Sequence, residues 1–164
     1  YAVANYRESY DMFACTGILF NHESPLRSNR FVTQKIISTA VRIACGSKER
    51  LKLGNLAIHR DWGWAPEYVE AMWKLLQHDV PRDIIIASGD MHSLENFVDK
   101  TFSQLGLNSK DHVDLDPLLF RPSDIEFSVG DASKADNILH WKAQTKLDDI
   151  ITQMIQYQYE EFYL

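Results

Sequence analysis

At 164 residues and a net charge of −6, the chain is sized for one domain with a sizeable core, and its charge disfavours loose binding to nucleic acid or an anionic membrane surface. Apolar residues make up 45% of it, an ordinary share for a globular protein, and no run approaches the ~20 residues a membrane helix needs. Its two cysteines, Cys15 and Cys45, fit no metal-binding or disulfide pattern, so buried thiols in a reducing cytosol are expected.

The first residues, Tyr-Ala-Val-Ala, show no initiator methionine, basic segment or cleavage site, and the chain reads as starting within a longer protein. Residues 1–11 lack Gly and Pro and suit the tail of a helix. Asp11 to Phe20 is mostly apolar and of strand length. Residues 21–30 read as a polar loop with a proline and two arginines. From Thr33, the residues Ile36, Ile37, Ala40, Val41, Ile43 and Ala44 mark an amphipathic helix that Gly46 ends. Leu51, Leu53, Leu56 and Ile58 predict a strand or hairpin broken at Gly54-Asn55, and His59 to Gly63 reads as a loop. Pro66 suits the first turn of a helix carrying Val69, Met72, Trp73, Leu75 and Leu76. Ile84 to Ala87 is a short buried strand. Ser93 caps a helix running to Leu105, with Gly106 as its stop. Leu107 to Val129 looks irregular, and helices follow at Ser133–Leu139 and Leu147–Phe162. Strands alternating with helices give an α/β class, with strands thinning out after residue 90.

The stretch Asn21-His22-Glu23-Ser24-Pro25 carries the first chemical signal. In an open α/β sheet, ligands lie beyond the carboxyl ends of strands, where these polar groups would be delivered. Arg27 and Arg30 follow, and a guanidinium suits phosphate oxygens. No histidine stands four residues after His22, so a zinc-protease motif is excluded. Arg60-Asp61 reads either as a surface ion pair or as a phosphate-facing arginine in a loop fixed by Asp61 and Trp62. Phe120-Arg121-Pro122-Ser123-Asp124 repeats the theme, an arginine held by a proline and then a carboxylate three residues on, a sensible pair for a phosphate and ribose hydroxyls.

Taken in order, the strings NYRESYDMFACTGILFNHESPLR, FVTQKI, LGNLAIHRDWG, LLFRPSDIE and GDASKADNILHWK resemble the GDP-mannose 4,6-dehydratase family of extended short-chain dehydrogenases/reductases. The resemblance runs from Asn5 to the last helix. It implies an α/β fold made of the trailing part of a Rossmann-type sheet plus the small, mostly helical substrate-binding domain, with residues 1–164 as the C-terminal half of the enzyme. It implies conversion of GDP-mannose to GDP-4-keto-6-deoxymannose with NADP by internal hydride transfer and water elimination, in a cytoplasmic homodimer or homotetramer. The family's glycine-rich loop, Thr/Glu pair and Tyr-x-x-x-Lys dyad belong to the upstream part. Tyr1-Ala-Val-Ala-Asn5 mimics that dyad with Asn for Lys, but matches the tail of the helix beyond it. No catalytic residue is therefore expected here, nor turnover by the chain alone.

The resemblance also implies binding roles. His22 and Arg27 match residues contacting NADP. Asn21, Val32, Thr33 and Lys35 match residues beside the sugar diphosphate, and Gly54 and Asn55 lie where the base is held. Arg60 and Arg121 match diphosphate-binding arginines. Asp124 stands where the family usually has Glu beside the ribose, a shorter carboxylate. Leu26-Arg27-Ser28 replaces Arg-Arg-Gly, and Gly63-Trp64-Ala65 replaces Gly-His-Ala. A related nucleotide-sugar epimerase or reductase, or a non-catalytic nucleotide-binding module, stays open as an alternative.

Overall fold

The structure is a computed structural model and describes residues 1–121 and 123–162. As the alternation of patterns implies, it is α/β. Helix α1 (Ala2–Tyr10) buries none of its side chains and ends at Asp11, whose φ of 52° is left-handed. Strand β1 (Thr16–Leu19) runs parallel to β5 (Asp83–Ile86), and β2 (Asn21–Glu23) runs parallel to β4 (His59–Trp64). The apolar run from Asp11 is thus a strand only where β5 supplies hydrogen-bond partners. Phe20 bridges the two short strands, its N–H donating to the Ile86 carbonyl at 3.0 Å.

Two expected loops are corrected. Asn21–Glu23 is strand β2, and His59–Trp64 is the longest strand of the protein among the described residues. Its polar residues hid it. The first half of β4 is flanked by antiparallel β6 (Met91–Ser93) and parallel β8 (Phe127–Ser128), while the second half pairs with β2. Every polar backbone group of such a central strand can be satisfied by neighbours, so an apolar alternation is not required. Leu51 to Ile58 is not a hairpin. Only β3 (Leu51–Leu53) forms, and it pairs in parallel with β7 (Val113–Leu115). The stretch expected to be irregular therefore holds β7, β8 and 3-10 turns at Ser109–Asp111 and Pro117–Leu119.

Helix α2 (Val32–Ala44) stops at Gly46, which adopts φ 98°. Helix α3 is Ala65–Leu76, with Pro66 in its first turn. Helix α4 (Leu94–Gln104) is capped by Ser93, which accepts from the Asn96 N–H at 3.0 Å, as its sequence signal predicts. Helices α5 (Ser133–Leu139) and α6 (Leu147–Phe162) complete the chain's elements.

Two apolar clusters hold these parts. One joins α2, α4 and α6 over β3 and β4, with Ile36, Ile37, Phe97, Phe102, Ile150 and Met154 buried around Trp62. The other packs α3 and α5 on β5, through Tyr68, Leu75, Ile84, Ile86 and Trp141. Each fully buried large side chain contributes about 1.5–3 kcal/mol, so helix faces rather than helix propensity fix these positions. Cys15 and Cys45, expected to be buried, are both half-buried. Among the described residues, no helix is long and apolar enough to cross a membrane.

Candidate functional site

The site is built outward from β2 and β4. Pairing of Asn21 with Trp62 and of His22 with Gly63 brings the carboxyl end of the first apolar run beside β4. Asn21 and His22 are both half-buried. Nδ1 of His22 lies 2.8 Å from the Phe20 carbonyl oxygen. A carbonyl only accepts, so Nδ1 holds a proton in this contact. The imidazole stacks on Tyr68 with ring centroids 5.0 Å apart, and Tyr68 meets Trp141 edge-on at 5.8 Å. Burial, with the Asp61 carboxylate second, pushes the Tyr68 hydroxyl above its ordinary range. Gly63 is required beneath that ring, because a Cβ there would overlap Tyr68.

Glu23 follows on β2 and is fully enclosed. Its Oε1 accepts from Arg27 Nη1 at 2.9 Å and its Oε2 from Thr33 Oγ1 at 2.6 Å. Burial pushes its carboxyl up, while the Arg27 guanidinium and the Thr33 hydroxyl pull it back. Arg27 Nη1 also donates to the His22 carbonyl at 2.7 Å, and its guanidinium lies 4.0 Å above the Phe31 ring. Thr33, one of the expected sugar-side residues, thus turns its hydroxyl inward to Glu23. Val32 is half-buried at the start of α2. Lys35 donates from Nζ to the Lys52 carbonyl at 2.6 Å, which ties α2 to β3.

A second group gathers where Leu119 closes on Gly54, just after β3, and Ile125 closes on β4. A Cβ at Gly54 would lie 2.6 Å from the Leu119 carbonyl oxygen, so the backbone there passes against the 3-10 turn with no room for a side chain. Asn55 caps its own turn, its Oδ1 accepting from the Ala57 N–H at 2.9 Å. Arg60 donates from Nη1 to the carbonyls of His59 at 2.8 Å and Ile125 at 2.6 Å, so it grips the segment from below. Arg121 is exposed and makes no side-chain hydrogen bond among the described residues, and Asp124 N–H donates to its carbonyl at 3.3 Å. Pro122, expected to brace Arg121, lies outside the described residues. The fold therefore brings Asn21, His22, Arg27 and Thr33 together at one end, and Gly54, Arg60, Arg121 and Asp124 at the other. Lys35 and the β2–β4 pairing connect them.

The carboxylate of Asp61 organises this edge. It is 1% exposed and accepts from the N–H groups of Ser88 (2.9 Å), Gly89 (2.9 Å) and Gly130 (3.3 Å), and from Ser88 Oγ at 2.6 Å. It is no surface ion pair with Arg60. It fixes the turn after β5 and the segment after β8 to β4. The sequence carries no sign of Glu23's role beyond an arginine four residues on, and none of Tyr68's.

Comparison with known proteins gives a consistent result. The family model described as "GDP-mannose 4,6 dehydratase" matches residues 1–154. The chain is 49% identical over 151 residues to GDP-mannose 4,6 dehydratase 2 of Arabidopsis thaliana, covering 92% of this chain and 40% of the relative. It is 42% identical over 170 residues to the GDP-mannose 4,6 dehydratase of Homo sapiens, covering 93% of this chain and 46% of that one. The chain thus spans less than half the length of these curated relatives. Among solved structures, RMD from Pseudomonas aeruginosa complexed with NADPH superimposes with a TM-score of 0.89 at 15% identity, over 98% of this chain and 53% of that one. A dTDP-glucose 4,6-dehydratase from Bacillus anthracis in complex with NAD gives 0.83 at 16% identity, over 98% and 48%. At such identities these structures establish the shared fold.

Proposed function

The chain belongs to the GDP-mannose 4,6-dehydratase family, and from that premise we propose that it is the C-terminal, nucleotide-sugar-binding half of an enzyme converting GDP-mannose to GDP-4-keto-6-deoxymannose. The observation that carries this reading is the closure of Leu119 on Gly54 and of Ile125 on Arg60, with Arg121 exposed between them and making no side-chain hydrogen bond among the described residues. An exposed guanidinium with uncommitted donors suits a diphosphate, and the Asp124 carboxylate three residues on suits a ribose hydroxyl. Gly54 and Asn55 then face the base, and Asn21, Val32, Thr33 and Lys35 border the sugar diphosphate.

NADP is the proposed cofactor, and the residues present fit its phosphates. Arg27 has Nε buried without a partner, and Nη2 makes no hydrogen bond among the described residues. When bound, the nicotinamide supplies hydride-transfer chemistry. The residues of this chain bind and orient; none of them is assigned the moving protons, so the chain alone is proposed to bind without turnover. The half-molecule reading has separate support. β1 pairs with β5 alone among the described strands, and Ile18 and Leu19 are 49% and 38% exposed. Parallel strands are normally covered on both faces and flanked on both edges. An upstream Rossmann portion is proposed to continue the sheet at β1, in a cytoplasmic homodimer or homotetramer.

Calorimetric titration of the folded 164-residue chain with GDP tests the site. Saturable heat at millimolar GDP or below, with weaker binding of UDP and dTDP, is expected. No heat from a folded sample refutes the nucleotide site, and preference for UDP or dTDP transfers the reading to a related nucleotide-sugar enzyme.

A further inference from the structure

We infer that Glu23 is a positioning residue for the cofactor-facing arginine: it sets the Arg27 guanidinium through an ion pair buried under the loop between β2 and α2. The inference rests on the assignment of Arg27 to the cofactor made above. Glu23 is 0% exposed, so both of its oxygens need partners within the chain. It finds them on both sides of the loop, in Arg27 at 2.9 Å and Thr33 at 2.6 Å. One side chain therefore ties the end of β2 to the middle of the loop and to the first turn of α2. Being enclosed, it touches no ligand itself and acts through Arg27.

What Glu23 does to Arg27 is specific. Nη1 is fully used, donating to Glu23 and to the His22 carbonyl at 2.7 Å, and the Phe31 ring supports the guanidinium plane at 4.0 Å. A guanidinium carries five N–H donors, and those left over are on Nε and Nη2. These two nitrogens share one edge of the group, the side-on fork that meets two oxygens of a phosphate or carboxylate. Nε is buried and has no partner among the described residues. A buried donor left unsatisfied is costly, so this fork is built for an acceptor that arrives from outside. The Arg27 side chain as a whole is 19% exposed, while Nε itself is covered.

The test uses the 164-residue chain and two readouts, NADPH fluorescence titration and the Nε–Hε resonance of Arg27. Glu23→Gln keeps the shape and removes the charge. It is expected to weaken NADPH about tenfold, the effect of one charge-assisted contact, to shift or broaden the Arg27 resonance, and to leave GDP affinity unchanged. Thr33→Val removes the other partner and is expected to leave the Arg27 resonance in place. In an Arg27→Ala background, Glu23→Gln is expected to have no further effect on NADPH. Additive losses, equal losses for GDP and NADPH, or an unchanged Arg27 resonance overturn the inference. Should Glu23→Gln fail to fold, Arg27→Lys decides: it keeps the charge beside Glu23 but lacks the fork, and wild-type NADPH affinity in it overturns the inference. Absence of NADPH binding by the wild-type chain is a different result, which refutes the cofactor assignment and the inference with it.

Discussion

Replacing Asp61 by Asn tests how the ligand-facing edge is held. The native carboxylate is 1% exposed and takes four hydrogen bonds, three from backbone N–H groups and one from the Ser88 hydroxyl. The amide has nearly the same shape but only one accepting oxygen. Its least costly orientation keeps that oxygen toward Gly89 and Gly130 and turns the NH2 toward Ser88, whose hydroxyl can rotate to accept. The Ser88 N–H is then stranded, at about 1–3 kcal/mol, and the two remaining bonds lose their charge assistance. Relief from burying a charge offsets part of this, and the expected loss is about 2–4 kcal/mol. Urea unfolding followed by tryptophan fluorescence reads it directly, since Trp62 is the next residue and is buried. With a slope of about 2 kcal/mol per molar, the midpoint should fall by about 1–2 M. A change below about 0.5 kcal/mol would refute the view that this carboxylate organises the edge, because surface substitutions of no structural consequence do as much.

Arg121→Ala is expected to weaken GDP by about 1.5–3 kcal/mol with no change in thermal midpoint, since the side chain makes no hydrogen bond among the described residues; Arg60→Ala should lower both, because it also releases the Ile125 carbonyl. Equal thermal effects of the two would contradict the different placements. Asp83 is held down to about 2, chiefly by the Arg7 side chain that pairs with it at 3.0 Å. A depressed folded-state carboxyl stabilises above its unfolded value near 3.8 and loses that contribution as pH falls toward about 2. Acid titration of the unfolding midpoint should show this loss between those values, and Asp83→Asn should flatten it. Gly63→Ala should cost about 1–3 kcal/mol, because the added methyl overlaps the ring of Tyr68, which is itself 1% exposed and cannot step aside. A wild-type midpoint for that variant would show that the ring yields.

Helices α2, α3, α4 and α6 were legible because each has a buried face with helical spacing: Ile36, Ile37, Ala40 and Val41 in α2 announce themselves whatever surrounds them. The Ser93 cap and the run at Ile84 were equally local. Strand β4 was not, since His59, Arg60 and Asp61 become strand residues only when β6 and β8, dozens of positions away, pair with them. The same reason concealed Glu23. A glutamate in a polar stretch reads as solvated until Arg27 and Thr33 close over it. The candidate arginines were visible by type, yet their situations differ in ways no spacing could tell: Arg27 is half-committed to a buried ion pair, Arg60 to backbone carbonyls, and Arg121 to nothing among the described residues.

The sheet pairings have a kinetic consequence. Thr16 and Asp83, which join β1 to β5, stand 67 residues apart, and among the described strands none pairs with its immediate successor through a tight hairpin. Each ladder must close a long loop before its contacts repay the lost chain entropy. No local β nucleus is therefore available. The helical cluster of α2, α4 and α6 is no more local, since its members are also dozens of residues apart. Refolding of this protein should be slow, on the scale of milliseconds to seconds, with its exposed strand edges vulnerable to association until β4 is enclosed.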